Sequence, residues 1–359
     1  MARGSPETTT QAGGLAGLRG PAGALAAAWA ATLVAILGVV VWLQTTYEPP
    51  APTPPAVSQA EATATPSAID RASPVPATAD AEKPTPQQTA LRLSPAPDPA
   101  LIEQAEAGPL PVTASDGRQA WQVYARPLTG GWDLPRIALI VTGMGLNSTA
   151  TATAIDRLPA EVTLAFSPYA SGLPDWSQRA RAAGHETLIM VPMEPLNYPA
   201  NDPGPETLLT SLSEQDNLQR LHGVMARFTG YVGLVNHMGS RFTASADAVR
   251  PVMAELYARG VLFLDARSTQ YSTAARIADE VGVPRAVNNR YIDNDADAAE
   301  IQKHLIELEN VARTFGAAVG IGRPYPVTVD TITTWAAGLD AKGLILAPVT
   351  AVANRQPVR

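Results

Sequence analysis

Apolar runs of five or six residues alternate with longer amphipathic stretches from about position 120 to position 352. Three such runs are RIALIV at 136–141, VTLAF at 162–166 and ETLIMV at 186–191. The runs are apolar on both faces, so we expect strands buried beneath helices. Further predicted strands are YVGLV at 231–235, VLFLD at 261–265, a short one near 285–288, AAVGIG at 317–322 and LILAPV at 344–349. This alternation predicts an α/β fold with a parallel sheet or barrel.

The composition limits what the chain can bind. The 359 residues are 46% hydrophobic, which is enough for one large domain with extra segments. The net charge of −7 argues against a nucleic-acid partner, because phosphate binding needs a basic surface. The absence of cysteine excludes disulfides, thiolate metal sites and cysteine nucleophiles.

Residues 24–43, ALAAAWAATLVAILGVVVWL, form an apolar stretch about as long as a bilayer-spanning helix. Arg3 and Arg19 precede it, and the next basic residue is Arg71. The positive-inside rule then predicts a cytoplasmic segment 1–23 and a single-pass anchor in the inner cell membrane, with the C-terminal domain in the periplasm. A cleaved signal peptide and a buried core helix are the alternatives.

Residues 44–118 contain 15 prolines among Ala, Thr, Ser and Glu. Such a composition buries too little apolar surface to offset the conformational entropy of the chain, so we predict a disordered Pro/Ala-rich linker. The predicted globular domain is 119–359.

Polar side chains follow most of the predicted strands. In α/β barrels the chemistry lies at the carboxyl ends of the strands, so we expect these residues to share one site. The candidates are Thr142, Glu194, Asn236, His237, Ser240, Arg241, Asp265, Arg267, Ser268, Asp293 and Arg323.

Each candidate also has a structural interpretation. His237 could be a loop histidine bonded to backbone carbonyls. Glu194 could cap a helix or close a turn, Asp265 could pair with Arg267 or cap a helix, and Arg323 could be an ordinary rim charge.

The other three histidines are expected to be structural. His185 precedes its strand and so lies at the opposite end of the sheet, whereas His222 and His304 lie within predicted helices.

The sequence GMG at 143–145 does not complete a dinucleotide-binding motif. Ser148 stands where the third glycine is required, and no acidic residue ends the second strand to bind a ribose.

The strand-end segments, taken in order, resemble the divergent polysaccharide deacetylase family. The more specific stretches are NHMGSRFT at 236–243 and VPMEP at 191–195. Supporting stretches are RIALIVTGMGLN, LPAEVTLAFSPYA, NDPGPETL, LFLDARST, RYIDN, AVGIGRPYPVTVDTI and GLILAPV.

The resemblance implies a distorted (β/α) barrel of about seven units. It also implies a metal-dependent hydrolase that removes acyl groups from a polysaccharide or peptidoglycan-type glycan, with zinc or another divalent metal as cofactor. Such a metal would polarise the acyl carbonyl and activate water while a carboxylate takes the proton.

The chain departs from the family pattern at three places. Thr142 and Gly143 replace an Asp-Asp pair, and Arg323 replaces a histidine. Asn288 and Asn289 replace an Arg-Asp pair. Neither Thr142 nor Gly143 can act as a general base or a carboxylate ligand, and an arginine does not bind metal.

Two hypotheses follow. The first is an altered enzyme with Glu194 and Asp265 as catalytic residues and a metal on His237, Asp265 and Asp293. The second is a non-catalytic envelope protein that needs no cofactor and binds glycan through Asn236, Ser240, Arg241, Arg267 and Arg323. Arg323 would suit a carboxylate of an acidic glycan. The lost catalytic positions favour the second.

Overall fold

The computed structural model describes residues 93–357. The predicted cytoplasmic segment 1–23, the predicted span 24–43 and the predicted linker up to residue 92 lie outside the described residues.

Nine strands form one curled parallel sheet, a half-barrel. They are β3 (Arg136–Met144), β4 (Thr163–Phe166), β5 (Thr187–Met193), β6 (Gly233–Met238), β7 (Leu262–Asp265), β8 (Arg285–Val287), β9 (Arg290–Tyr291), β10 (Ala317–Gly322) and β11 (Ile345–Leu346). Their order is β8-β7-β6-β5-β4-β3-β10-β9, and β11 pairs with β3. The predicted α/β class is therefore confirmed.

Helices connect successive strands. They are α1 (Ala120–Val123), α2 (Ser148–Arg157), α3 (Leu173–Ala182), α4 (Glu214–Met225), α5 (Ala246–Arg259), α6 (Ala274–Val281), α7 (Ala298–Phe315) and α8 (Pro326–Ala336). Asn147 caps α2 by accepting a hydrogen bond from the Ala150 N–H. Asp297 caps α7 in the same way, with the N–H groups of Ala299 and Glu300 as donors.

Residues 93–118 are folded, which shortens the predicted linker 44–118 at its C-terminal end. An antiparallel hairpin joins β1 (Ile102–Ala105) to β2 (Gly108–Pro111). Leu101 and Leu110 are fully buried in the domain core. The abundant prolines concealed this segment in the sequence, although its few large apolar residues are sufficient to attach it to the core.

The two outer strands of the sheet are consecutive stretches of one segment, 285–291. Its first part, β8, pairs with β7, and its last part, β9, pairs with β10. The C-terminal tail covers the outer side of β8. The Asn354 side chain accepts from the Arg285 N–H, and the Gln356 amide bonds both the N–H and the C=O of Val287. β8 is therefore held by β7 on one side and by the C-terminal tail on the other.

The amino-terminal edge of the sheet is structural, as predicted for His185. Its buried ring bonds the carbonyls of Val162 and Ile155. Beside it, the fully buried Glu186 accepts hydrogen bonds from the Arg126 N–H and from the Thr350 N–H and hydroxyl. His222 pairs with Glu255, and His304 bonds the Ile292 carbonyl, so both also have packing roles.

The predicted localisation needs correction. Within residues 93–357, no helix is both long enough and apolar enough to cross a membrane. A single-pass inner-membrane protein is therefore not supported, and the stretch 24–43 on which that prediction rested lies outside the described residues.

Burial of Glu186 predicts a pH-dependent stability. Burial raises its pKa from 4.5 to about 7, so between these values the folded chain holds a proton that the unfolded chain releases. The free energy of unfolding should therefore fall as pH rises from about 4.5 to about 7, by on the order of 3 kcal/mol for this group.

Urea unfolding at pH 5, 6 and 7.5 would test this. The Glu186→Gln variant should lose that part of the pH slope, whereas Glu214→Gln at the exposed start of α4 should keep it. Equal slopes in wild type and Glu186→Gln would contradict the prediction.

Candidate functional site

The predicted site residues lie at the carboxyl edge of the parallel sheet. Thr142 is near the end of β3, Asp265 ends β7, and His237 is the penultimate residue of β6. Glu194 and Arg323 each follow the last residue of their strand, β5 and β10. Because parallel strands end at a common edge, one end of the sheet carries all five residues.

The end of β3 provides no acid or base. The Thr142 hydroxyl donates to the Gly322 carbonyl at 3.1 Å. The Gly143 N–H contacts Met190 Sδ at 3.2 Å, and Gly143 has a φ of +76°, which favours glycine. The two residues that replace the family's acidic pair are thus engaged in backbone packing.

Asn236 joins the ends of β6 and β7. Its side-chain oxygen accepts from the Ala266 N–H at 2.8 Å, and its side-chain nitrogen donates to the Met238 carbonyl at 2.7 Å. The Ser268 hydroxyl also donates to that carbonyl at 2.7 Å. Met238 has a φ of +56°, an uncommon conformation for a residue with a side chain. Two hydrogen bonds therefore hold a strained residue directly after His237.

His237 and Asp265 point to opposite faces of the sheet. Val235 lies beside Leu264, which places Asn236 level with Asp265 and His237 one residue further along. Since successive side chains alternate between faces, His237 cannot share the face of Asp265. The two residues therefore share one edge of the sheet, but their side chains lie on different faces.

The concave face is the one that carries His237. His237 lies beside Pro192, two residues after Met190, so the three side chains share a face. Met190 contacts Gly143, which is two strands away, and such a contact spans the inside of the curled sheet. Asp265 instead faces the helices, where it accepts from the Ser272 hydroxyl just before α6 at 2.7 Å.

The imidazole of His237 forms no hydrogen bond or ion pair with residues 93–357. It is half-buried, and burial lowers its pKa, so the ring is neutral at neutral pH. Both ring nitrogens are therefore uncommitted, and one of them can accept a proton or a hydrogen bond.

Glu194 is almost completely buried and is bound by three donors. The Thr210 N–H and hydroxyl donate to one carboxylate oxygen at 2.6 and 2.7 Å, and Arg241 pairs with the other at 3.1 Å. Burial alone would raise its pKa, but these donors outweigh burial and hold the pKa below its ordinary value. The Ser240 hydroxyl accepts from the Leu196 N–H, which fixes the adjoining loop.

Asp293 is equally enclosed. It accepts from the Arg323 N–H at 2.6 Å and the Thr328 hydroxyl at 3.0 Å, and the Arg323 guanidinium pairs with it at 3.4 Å. The same guanidinium lies 4.8 Å from the centre of the Tyr325 ring. Asp293 thus positions Arg323, which remains half-exposed.

The residues present do not fit a zinc centre. A catalytic zinc needs about three protein ligands, and the predicted set was His237, Asp265 and Asp293. Among residues 93–357, no three His, Asp or Glu side chains are grouped so that they could hold a metal ion. The alternation described above explains the separation of His237 from Asp265, and both carboxylates are occupied by hydrogen bonds.

Sequence reasoning did not anticipate Thr210 or Tyr291. Thr210 lies in the long loop between β5 and α4, away from any strand end, so no sequence pattern marks it. The Tyr291 hydroxyl forms a hydrogen bond with Ser268, and burial raises the pKa of Tyr291. Tyr291 lies in the RYIDN stretch, in which the sequence pattern indicates only Asp293 as a site residue.

Five of the ten large hydrophobic side chains that are exposed in residues 93–357 lie in the loops that follow the strands. They are Leu146, Tyr169, Leu196, Tyr271 and Tyr325. Tyr271 is the most exposed of these, at 71%. Such side chains at the edge of a cleft are typical of a binding surface.

Comparison with known families agrees with this architecture. Residues 139–353 match the family described as divergent polysaccharide deacetylase, which is more than half of the chain. The chain belongs to this family.

Three relatives of this divergent polysaccharide deacetylase are informative. An uncharacterised protein of Haemophilus influenzae is 28% identical over 198 residues, 55% of this chain and 69% of that protein. The protein YibQ of Escherichia coli is 28% identical over 176 residues, 49% of this chain and only 54% of YibQ. The crystal structure of an uncharacterised Agrobacterium tumefaciens protein has a TM-score of 0.66 at 37% identity, covering 68% of this chain and 98% of that one.

Asn236 should contribute to the free energy of unfolding of this divergent polysaccharide deacetylase, because it joins two strand ends. Asn236→Ala leaves the buried Ala266 N–H without a partner, which should lower the free energy of unfolding by about 1–3 kcal/mol. Asn201→Ala, in an exposed loop, should change it by less than about 0.5 kcal/mol. Urea denaturation of the three proteins measures both effects, and equal stabilities would contradict the role given to Asn236.

Proposed function

We propose that this member of the divergent polysaccharide deacetylase family binds cell-envelope glycan at its carboxyl edge with little or no deacetylation. The proposal rests on one observation, which is that the carboxylates at the strand ends are buried and hydrogen-bonded. Glu194, Asp265 and Asp293 are all buried, and each is bound by at least two donors. A general base must reach a water molecule beside the substrate, and these groups face their own loops instead.

The replacement at β3 supports the same proposal. A hydrolase of this family type would use the acidic pair that Thr142 and Gly143 replace. Loss of a general base typically removes about 10²–10⁴ in rate. The three carboxylates that directly follow strands, Glu194, Asp265 and Asp293, are all engaged by donors, which favours binding over hydrolysis.

The surface chemistry favours a saccharide as the ligand. Tyrosine rings combine a flat apolar face with a polar tip, and sugar rings present both C–H faces and hydroxyl groups. Tyr169, Tyr271 and Tyr325 are exposed along the carboxyl edge. Asn236, Ser240, Arg241, Arg267 and Arg323 remain the proposed glycan-binding residues, with Asn236 and Ser240 acting by positioning the loops.

The second candidate function is a metal-dependent deacetylase with an altered ligand set. The free, neutral imidazole of His237 favours it, because neutral imidazole is a common metal ligand and general base. In that case Glu194 would act as base, and Asp265 and Asp293 would have to leave their present partners to join His237.

Activity assays separate the two functions. We expect the purified chain, supplied with zinc, to release little or no acetate from chito-oligosaccharides or peptidoglycan fragments. His237→Ala should leave that low level unchanged. Zinc-dependent acetate release that His237→Ala abolishes would contradict the non-catalytic proposal and establish the altered enzyme.

Binding assays test the proposed function directly. Calorimetry with the same glycans should detect binding, and Tyr271→Ala should weaken it about fivefold to tenfold, equivalent to about 1–1.4 kcal/mol. Tyr257→Ala is the matched control, because Tyr257 is an exposed tyrosine on α5, away from the carboxyl edge. No measurable glycan binding by the wild-type chain would overturn the proposal.

A further inference from the structure

Three strand ends at the carboxyl edge combine a buried carboxylate with an exposed arginine. The Glu194 side chain is 5% exposed, whereas its partner Arg241 is 49% exposed. The Asp293 side chain is 2% exposed, whereas its partner Arg323 is 44% exposed. Asp265 is buried as well, and the exposed Arg267 follows it by two residues. A ligand that approaches these three strand ends therefore contacts the guanidinium groups before the carboxylates beneath them.

Arg267 differs from the other two arginines because its guanidinium forms no hydrogen bond or ion pair with residues 93–357, although its charge acts on the nearby Asp265 carboxylate. Only its backbone N–H is bound, to the Asp265 carboxylate at 2.7 Å. Arg267 has a φ of +51°, which is uncommon for a residue with a side chain. The Arg267 guanidinium is thus available to a ligand. The backbone conformation of Arg267 is strained, and the residue lies near the other proposed binding residues.

A cavity of about 180 Å³ adjoins Arg267 on the helix side of the sheet. Asp265, Gln270, Ser272 and Asn289 supply polar groups to its wall, and Val287 and Val311 supply apolar ones. The Asp265 carboxylate already accepts hydrogen bonds from the Arg267 N–H and the Ser272 hydroxyl, whereas the Arg267 guanidinium is not bound in this way. The volume suits a small substituent with a few carbon atoms, and not a sugar chain. A substituent held by the Arg267 guanidinium would find both polar and apolar contacts there.

The charge of the whole chain makes this local arrangement selective. The net charge of −7 disfavours non-specific association with anions. Binding of an anion at the carboxyl edge must then come from specific arginine contacts. Guanidinium groups bind carboxylates with two parallel hydrogen bonds, and such pairs are directional.

We propose that the glycan bound at the carboxyl edge is an acidic saccharide, and that Arg267 binds one of its carboxylates. Arg241 and Arg323 provide two further positive groups along the same edge, each held in place by its own buried acid. This inference rests on the proposed glycan-binding function and specifies the class of glycan.

A matched pair of ligands tests the proposal on the full chain. Trigalacturonate and its fully methyl-esterified form have the same sugar rings, but only the first carries carboxylates. We expect calorimetry at low salt to show at least tenfold tighter binding of trigalacturonate, and this preference should shrink as salt is added. A second comparison uses two single sugars, galacturonate and galactose 6-phosphate. Galactose 6-phosphate should bind more weakly than galacturonate at the same salt concentration.

Variants of Arg267 test the assignment of the anchor. Arg267→Gln should weaken trigalacturonate binding about tenfold and weaken binding of the ester by a clearly smaller factor. Arg267→Lys should retain part of the affinity, because a lysine keeps the charge but loses the two-pronged contact. Arg250→Gln is the control, because Arg250 is an exposed arginine on α5 that pairs with Glu280.

The outcomes distinguish this inference from the function on which it rests. Equal binding of the acid and the ester would overturn the acidic-saccharide assignment and leave glycan binding intact. Tighter binding of the phosphate would also overturn the carboxylate assignment. An unchanged affinity of Arg267→Gln for trigalacturonate would overturn the role of Arg267. If neither these saccharides nor the chito-oligosaccharides and peptidoglycan fragments bind, the proposed function itself fails.

Discussion

The alternation of side chains along β6 and β7 is the constraint on which the candidate site depends. Asn236 and Asp265 lie level with each other, so His237 must point to the other face. The same alternation places Leu234 and Val235 in the core on the two sides of the strand. A shift of one residue would exchange the two faces throughout β6, so the position of His237 is fixed by core packing.

In the proposed function, the burial of acidic groups beneath arginines favours recognition of a ligand over its hydrolysis. A buried carboxylate that accepts several hydrogen bonds is stable where it is, and leaving those donors has a free-energy cost. Glu194 illustrates this, because Thr210 and Arg241 satisfy both of its oxygens. The arginine of each pair is in turn held in a defined position, which reduces the entropy lost when it binds a ligand.

Much of the fold could be predicted because it follows from local patterns. The apolar runs located the main strands, and the position of His185 before its strand indicated a structural role. The strand-end rule also placed Thr142, Glu194, His237, Asp265 and Arg323 at one edge. The faces to which these side chains point depend on register between strands, which is a long-range property that the apolar runs do not reveal. The hairpin at 102–111 and the contact of Thr210 with Glu194 likewise depend on packing between distant segments.

The side-chain amides of the C-terminal tail have a consequence for self-association. An outer strand normally leaves N–H and C=O groups open, and another chain can add to them as a further strand. On β8, Asn354 and Gln356 already bond the outward-facing backbone of Arg285 and Val287. A second molecule therefore finds no template there, and aggregation by strand addition at β8 requires prior detachment of the tail. Two amide side chains near the end of the chain thus protect the folded domain from polymerising through this strand.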